Sequence, residues 1–154
     1  MTLIAEVTSQ AGAGKVSGLE QLRALIASGK RPGIAASLDF ELIKVEQGRA
    51  VFVGVPGQHA YNPIGVVHGG YAATLLDSAC GCAVHTSLSA TQTYATLELK
   101  VAYHKAMTDK IGFVRAEGRV VSLGKRVAFA EAELFDSDGR LYASATSTLM
   151  VIEQ

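Results

Sequence analysis

The sequence predicts an α+β fold, with one curled antiparallel sheet wrapped around a single long helix and a short helix ahead of it. Three observations carry this. The stretch YAATLLDSACGCAVHTSL, Tyr71–Leu88, is apolar on nearly every face, and a helix of that kind must be covered on all sides. From Leu38 the pattern alternates with a period of two, as a half-buried strand does. After the helix only strand-like runs remain, at about 93–105, 111–122, 126–136 and 141–152.

The elements follow in chain order. Residues 1–16 read as a loose leader, and the GAGK within it lacks the context of a phosphate loop. Ser17-Gly18-Leu19-Glu20 has the capping-box spacing, and Leu19, Leu22, Leu25 and Ile26 recur at helical pitch. This predicts a short amphipathic helix over 18–28, stopped by Gly29 with Pro32 beyond it. A hairpin follows, with strands at Leu38–Leu42 and Ala50–Val55 joined through Gln47-Gly48. Gly57–Gly65 is a loop, and the long helix is expected over roughly Gly69–Leu88. Asp136-Ser137-Asp138-Gly139 reads as a tight hairpin turn with glycine in the left-handed position. The organisation is residues 1–34 as leader and capped helix, then one domain over 35–154. The far face of the sheet also needs covering, which points to a homo-oligomer.

Composition narrows the function. The chain has 154 residues, 49% hydrophobic and 18% charged, with 14 basic and 14 acidic side chains. That balance gives no reason to expect nucleic acid or an anionic membrane as partner. The N-terminus lacks the pattern of a signal peptide. Tyr71–Leu88 is nearly long enough to span a bilayer, but Asp77 at mid-membrane would cost at least ~2.5 kcal/mol. Cys80 and Cys82 sit about 200° apart on the helix, too far to pair, and read as buried thiols in a reducing, cytoplasmic setting.

The chemistry concentrates at NPIGVVHGG and the acid behind it. His68-Gly69-Gly70 opens the long helix, where unpaired N–H groups and a partial positive charge favour an oxyanion. Glycine there allows close approach to the backbone. Asp77 is a lone carboxylate in an apolar helix, and its desolvation would raise its pKa unless it finds a partner. It lies eight residues past Gly69, about 12 Å along the axis. Asp77 therefore cannot serve a carbonyl held by its own Gly69. Two copies related by a two-fold axis solve this, each Asp77 facing the partner's Gly69. Neither a G-x-S-x-G elbow, nor metal-ligand spacing among the four histidines, nor a dinucleotide fingerprint is present.

The pattern N-x5-H-G-G-x7-D, formed by Asn62, His68-Gly69-Gly70 and Asp77, resembles that of the hotdog-fold acyl-CoA thioesterases. The likeness is to the PaaI-type and 4-hydroxybenzoyl-CoA thioesterase branch, with its acid on the central helix. It extends to Leu97–Tyr103, Gly124-Lys125-Arg126, Ala130–Asp136 and Asp138–Ala143, covering about residues 35–152. The resemblance implies a hotdog fold and hydrolysis of a CoA thioester. Gly69 would then polarise the thioester carbonyl through its N–H, with Gly70 beside it. Asp77 of the neighbouring subunit would be general base or nucleophile. Asn62 and His68 would shape the site and hold water or the leaving group, and Thr96, or else Thr93, would position the water. Lys105, Lys125 and Arg126 are candidates for the CoA phosphates. No metal or cofactor is implied, and the assembly would be a dimer or a dimer of dimers. Residues 1–34 fit the family core poorly and stand where they could cover the acyl end of the pocket.

The chemistry agrees. A thiolate leaving group, from a thiol of pKa ~8.5, needs little acid assistance. An oxyanion hole worth roughly 3–4 kcal/mol and a base for water suffice. Two other readings use the same fold. A non-catalytic acyl-CoA-binding module has no evident need for Asp77, and a hydratase would need a His–acid spacing that is absent here.

Overall fold

The computed structural model describes residues 16–154. The expected leader, with its GAGK, lies outside them except for Val16. The described chain runs α1 (Gly18–Ser28), α2 (Gly33–Ser37), β1 (Phe40–Glu46), β2 (Arg49–Gly54), α3 (Gly69–His85), β3 (Gln92–Tyr103), β4 (Val114–Leu123), β5 (Val127–Asp136) and β6 (Leu141–Glu153). All pairings are antiparallel, in one six-stranded sheet of order β1-β2-β4-β5-β6-β3. β1 and β3 are its edges.

α3 lies across the concave face. Its Leu75, Leu76, Ala79 and Val84 are fully buried against Val114, Ala116, Ala128, Leu134 and Leu149 of the sheet. Alternation makes this possible: Ala128, Ala130, Ala132 and Leu134 of β5 all point toward the helix. Small residues set the distance between the layers. A Cβ at Gly118 would run into the Ala79 carbonyl, so only glycine lets the helix pass that close over β4.

The predicted capping box is present. Ser17 N donates to Glu20 Oε2 at 2.9 Å and Glu20 N to Ser17 Oγ at 3.4 Å. Gly29 ends α1 with φ 65°, in the left-handed region. Leu22 and Leu25 of α1 pack with Val45, Ala50 and Ala83 in a second small core, and Gly18 N bonds the Leu88 carbonyl at 3.1 Å. The Asp136–Gly139 turn also forms, with Gly139 at φ 79° and Asp136 Oδ1 accepting from Asp138 N and Arg140 N.

Three elements differ from expectation. α3 stops at His85 rather than Leu88, because Ser87 and Leu88 switch to bonds with the carbonyls three residues back. Thr86 fixes that change: its hydroxyl donates to the Ala83 carbonyl and accepts from Gly48 N. β4 begins at Val114 rather than 111, since a 3₁₀ turn at Asp109–Ile111 leads into Gly112 at φ 77°. α2 was not anticipated: five residues, GIAAS, carry too few periodic positions to register as a helix.

Candidate functional site

α3 keeps one stripe incompletely covered. Gly70, Ala73, Thr74, Asp77, Ser78 and Cys82 recur at spacings of three and four, and none is fully buried, whereas the other faces are packed into the core. Asp77 stands in the middle of it, half-buried. Thr96 Oγ1, from β3, donates to Asp77 Oδ1 at 3.1 Å. Thr74 is turned elsewhere, donating to the Gly70 carbonyl at 2.8 Å.

Thr96 reaches Asp77 because β3 carries a bulge. Thr96 pairs with Leu149 and Glu98 with Thr148, which leaves Leu97 as the extra residue. Leu99 faces the helix opposite buried Ser147. Strict alternation would therefore turn Leu97 inward and Thr96 outward. The bulge reverses that, placing the hydroxyl over α3 and leaving Leu97 59% exposed. Ser147 Oγ donates to the Glu98 carbonyl at 2.9 Å and pins the bulge. Of the two threonines considered from sequence, Thr96 is the one that meets the acid.

At the other end of α3, His68 is the N-cap, and its Nδ1 accepts from Gly70 N at 2.8 Å. The neutral ring then carries its proton on Nε2. Tyr71 N bonds the His68 carbonyl at 2.9 Å. Of the two glycine N–H groups considered from sequence, that of Gly70 is occupied by the imidazole. Gly69 N has no partner among the described residues. A residue not anticipated, Tyr103, crosses this turn: its hydroxyl donates to the Gly69 carbonyl at 2.9 Å. A Cβ on Gly69 would lie 3.1 Å from that ring and push it back by a few tenths of an ångström. The inward parity of Tyr103 at the end of β3 was the available signal.

Asn62 builds the approach to this turn. Its Oδ1 accepts from Ile64 N at 3.2 Å and Val66 N at 3.3 Å, closing the 62–66 loop. His68 N bonds the Ala60 carbonyl and Val67 N that of Met107, tying the loop to the core. Tyr61 Oη donates to Asp109 Oδ1 at 2.9 Å, and Gln58 also donates to Asp109. Those bonds hold the Asp109 carboxyl below its ordinary value.

The two halves do not meet within one protomer. Asp77 and Thr96 stand at mid-helix, while Gly69, His68 and Tyr103 stand at its start. Of the basic candidates, Lys105 lies over the Tyr142 ring, 5.9 Å from its centre, and lines a cavity of about 320 Å³ with Gly69, Tyr103 and His104. Lys125 and Arg126 are exposed in the β4–β5 turn, near the start of β3 and away from Lys105. The thiols are not nucleophiles: burial first, and the Asp77 charge second, push Cys80 and Cys82 up to about 12. Among the described residues no group of His, Cys, Asp and Glu is placed to hold a metal ion, and no helix is long and apolar enough to cross a membrane.

Comparison with known proteins identifies the family. The profile of the thioesterase superfamily matches residues 64–143, the stretch from the glycine turn to the last hairpin. A Saccharolobus solfataricus protein named as an esterase is 34% identical over 116 residues, 75% of this chain and 80% of its own length. The 1,4-dihydroxy-2-naphthoyl-CoA hydrolase of Listeria monocytogenes is 25% identical over 119 residues, covering 77% of this chain and 95% of that protein. Among solved structures, a mutant of the phenylacetic acid degradation protein PaaI from Thermus thermophilus superposes with a TM-score of 0.70. It is 25% identical, covering 77% of this chain and 98% of that one. This chain belongs to the thioesterase superfamily, and it is a thioester hydrolase of hotdog fold.

Proposed function

We propose that the chain hydrolyses an acyl-CoA thioester in sites shared between two copies, each site taking Gly69 from one protomer and Asp77 from the other. The observation that carries this is the Thr96–Asp77 hydrogen bond, which holds a carboxylate ready on the uncovered stripe of α3. The CoA-ester hydrolase among the relatives supports the substrate class.

Geometry supports the sharing. β3 is a sheet edge twelve residues long, and such an edge is a template for pairing with another chain. Thr96 marks the acid and Tyr103 marks the glycine turn, both on β3. An antiparallel β3–β3 pairing whose two-fold axis falls at Lys100 opposes Leu99 to the partner's Val101, both on the helix face, and with the bulge residue Leu97 looped out it sets each Thr96 opposite the partner's Tyr103. Asp77 then faces the partner's Gly69, and the uncovered stripe of α3 is covered. The same pairing carries Lys125 and Arg126 toward the partner's Lys105, gathering three cations for the CoA phosphates.

In the reaction, the Gly69 N–H and the positive end of α3 stabilise the oxyanion that develops on the thioester carbonyl. His68, with Nε2–H outward, and the Asn62 amide line that side. Asp77 acts on water as general base, or attacks directly, with Thr96 holding one of its oxygens. The thiolate leaves without a strong acid. This scheme draws on no metal or cofactor. Asp77→Asn or Asp77→Ala is expected to lower kcat at least ~10²-fold with the melting temperature little changed. Turnover near the wild-type rate in a folded variant would refute it. Tight CoA-ester binding without turnover in the wild type would point to the non-catalytic reading.

A further inference from the structure

A cavity of about 370 Å³ lies between the two N-terminal helices and the body of the fold. Its floor is Ser78 and Cys82 of α3 with Tyr94 of β3, and its roof is Leu25 and Ile26 of α1 with Ile34 of α2. Floor and active site are contiguous. Ser78 follows Asp77 on the helix, and Tyr94 stands two residues before Thr96, pairing with Val151 as Thr96 pairs with Leu149, so both face α3. A carbonyl carbon at Asp77 therefore has this chamber beside it, on the acid's side of the shared site. Lining side chains are mostly apolar, with Lys30, Arg31 and Glu41 the charged ones, all exposed at the rim. Arg31 is held there by Asp39 at 2.9 Å.

Resting on the thioesterase reading above, we infer that this chamber holds the acyl group, and that α1 and α2 are its lid and set the acyl size. The occupant is an apolar acyl chain of roughly a dozen non-hydrogen atoms, taking ~30 Å³ for each. That is a medium-length aliphatic chain such as octanoyl to dodecanoyl. Acetyl leaves most of the chamber unfilled, and each buried methylene forgone loses about 0.8 kcal/mol, close to fourfold in kcat/KM. Chains well beyond twelve carbons run past Ile34 into solvent and gain no further burial. Cys82 stands on the floor, where a larger side chain would fill the chamber. Its thiol, like the Tyr94 hydroxyl, stays protonated and uncharged through burial, so the floor presents no charge to a hydrocarbon tail. Ile34, 56% exposed, stands at the open outer end of the chamber and is not a fold-determining residue.

Two readouts test this independently of catalysis. Free decanoate is titrated into the intact protein by calorimetry, and kcat/KM is measured for a series of straight-chain acyl-CoAs with free-thiol detection. Wild type should bind decanoate and prefer octanoyl to dodecanoyl esters over butyryl-CoA. Cys82→Phe fills the floor and Ile34→Glu sets a carboxylate in the roof. Each is expected to weaken decanoate binding and to lower the decanoyl-to-butyryl ratio of kcat/KM by at least ~10-fold. Ile34→Glu, at an exposed position, keeps the test valid if Cys82→Phe does not fold. Decanoate binding and chain-length preference unmoved by a folded variant would overturn the chamber assignment. Decanoate binding lost in the variants, alongside no hydrolysis of any ester by wild type, would sustain the chamber and sink the catalytic reading instead.

Discussion

Ser147 Oγ donates to the Glu98 carbonyl at 2.9 Å, one strand away from the bulge that turns Thr96 toward Asp77. Ser147 is buried and touches neither the acid nor the glycine turn. It acts through β3. A typical hydrogen bond contributes about 1 kcal/mol net. Ser147→Ala is therefore expected to lower kcat by roughly fivefold with KM little changed, while Ser147→Thr retains most of the rate. An equal loss in both variants, or a loss only in melting temperature, would mean that the bulge does not position Thr96.

Gly69 offers a substitution that removes one atom group and leaves the helix start intact. Proline is well suited to the first helical position, where its missing N–H breaks no intrahelical bond. His68 before it has φ −62° and ψ 136°, the extended conformation a following proline requires. The added ring crowds Tyr103, whose hydroxyl is bonded to the Gly69 carbonyl, and Tyr103→Ala removes that clash. Gly69→Pro, alone or with Tyr103→Ala, should cost ~10²–10³ in kcat, the range for loss of one oxyanion donor. Steady-state kinetics on the folded variant measures it. A loss confined to KM would assign Gly69 to binding alone.

Stability should depend on pH through His85. This side chain is buried, its Nε2 lies 2.9 Å from Gln21 Oε1, and its Nδ1 has no partner. Burial holds its pKa below the ordinary value. Between the unfolded value, ~6.5, and the lower folded one, the unfolded chain binds more protons, so stability falls as pH drops below ~6.5. Glu20, Glu46 and Asp109 have lowered pKa values, and their contributions are lost only in the lower carboxylate range. Melting temperatures from about pH 8 to 5 should decline below ~6.5, and His85→Gln should flatten that decline. A melting temperature level between about pH 7 and 5 in wild type contradicts this account of His85.

Much of the fold is legible because its signals are local. The capping box at Ser17 and Glu20, the glycine at the end of α1 and the Asp136–Gly139 turn each encode a geometry within four residues. The long helix is legible from its composition, and Asp77 is conspicuous because nothing else on that helix is charged. What escaped depends on partners distant in sequence. The end of α3 is set by Thr86 meeting Gly48, 38 residues away. The choice between Thr93 and Thr96 turns on a bulge held by Ser147, 49 residues from Glu98. Tyr103 and the acyl chamber emerge only when β3, α3 and the N-terminal helices stand side by side. The resemblance already points to Gly69 as the donor, but the sequence does not reveal that the His68 ring takes up the Gly70 N–H.

The central claim, one site made from two chains, is tested most directly by complementation. Asp77→Asn and Gly69→Pro are each expected to be nearly inactive alone. Mixed in equal amounts and allowed to exchange subunits, half the pairs become mixed, and each mixed pair holds one site with both native residues. The mixture should regain about a quarter of the wild-type rate. No recovery after exchange has been shown by mass spectrometry of the mixed pair would contradict a shared site and place Gly69 and Asp77 in separate roles.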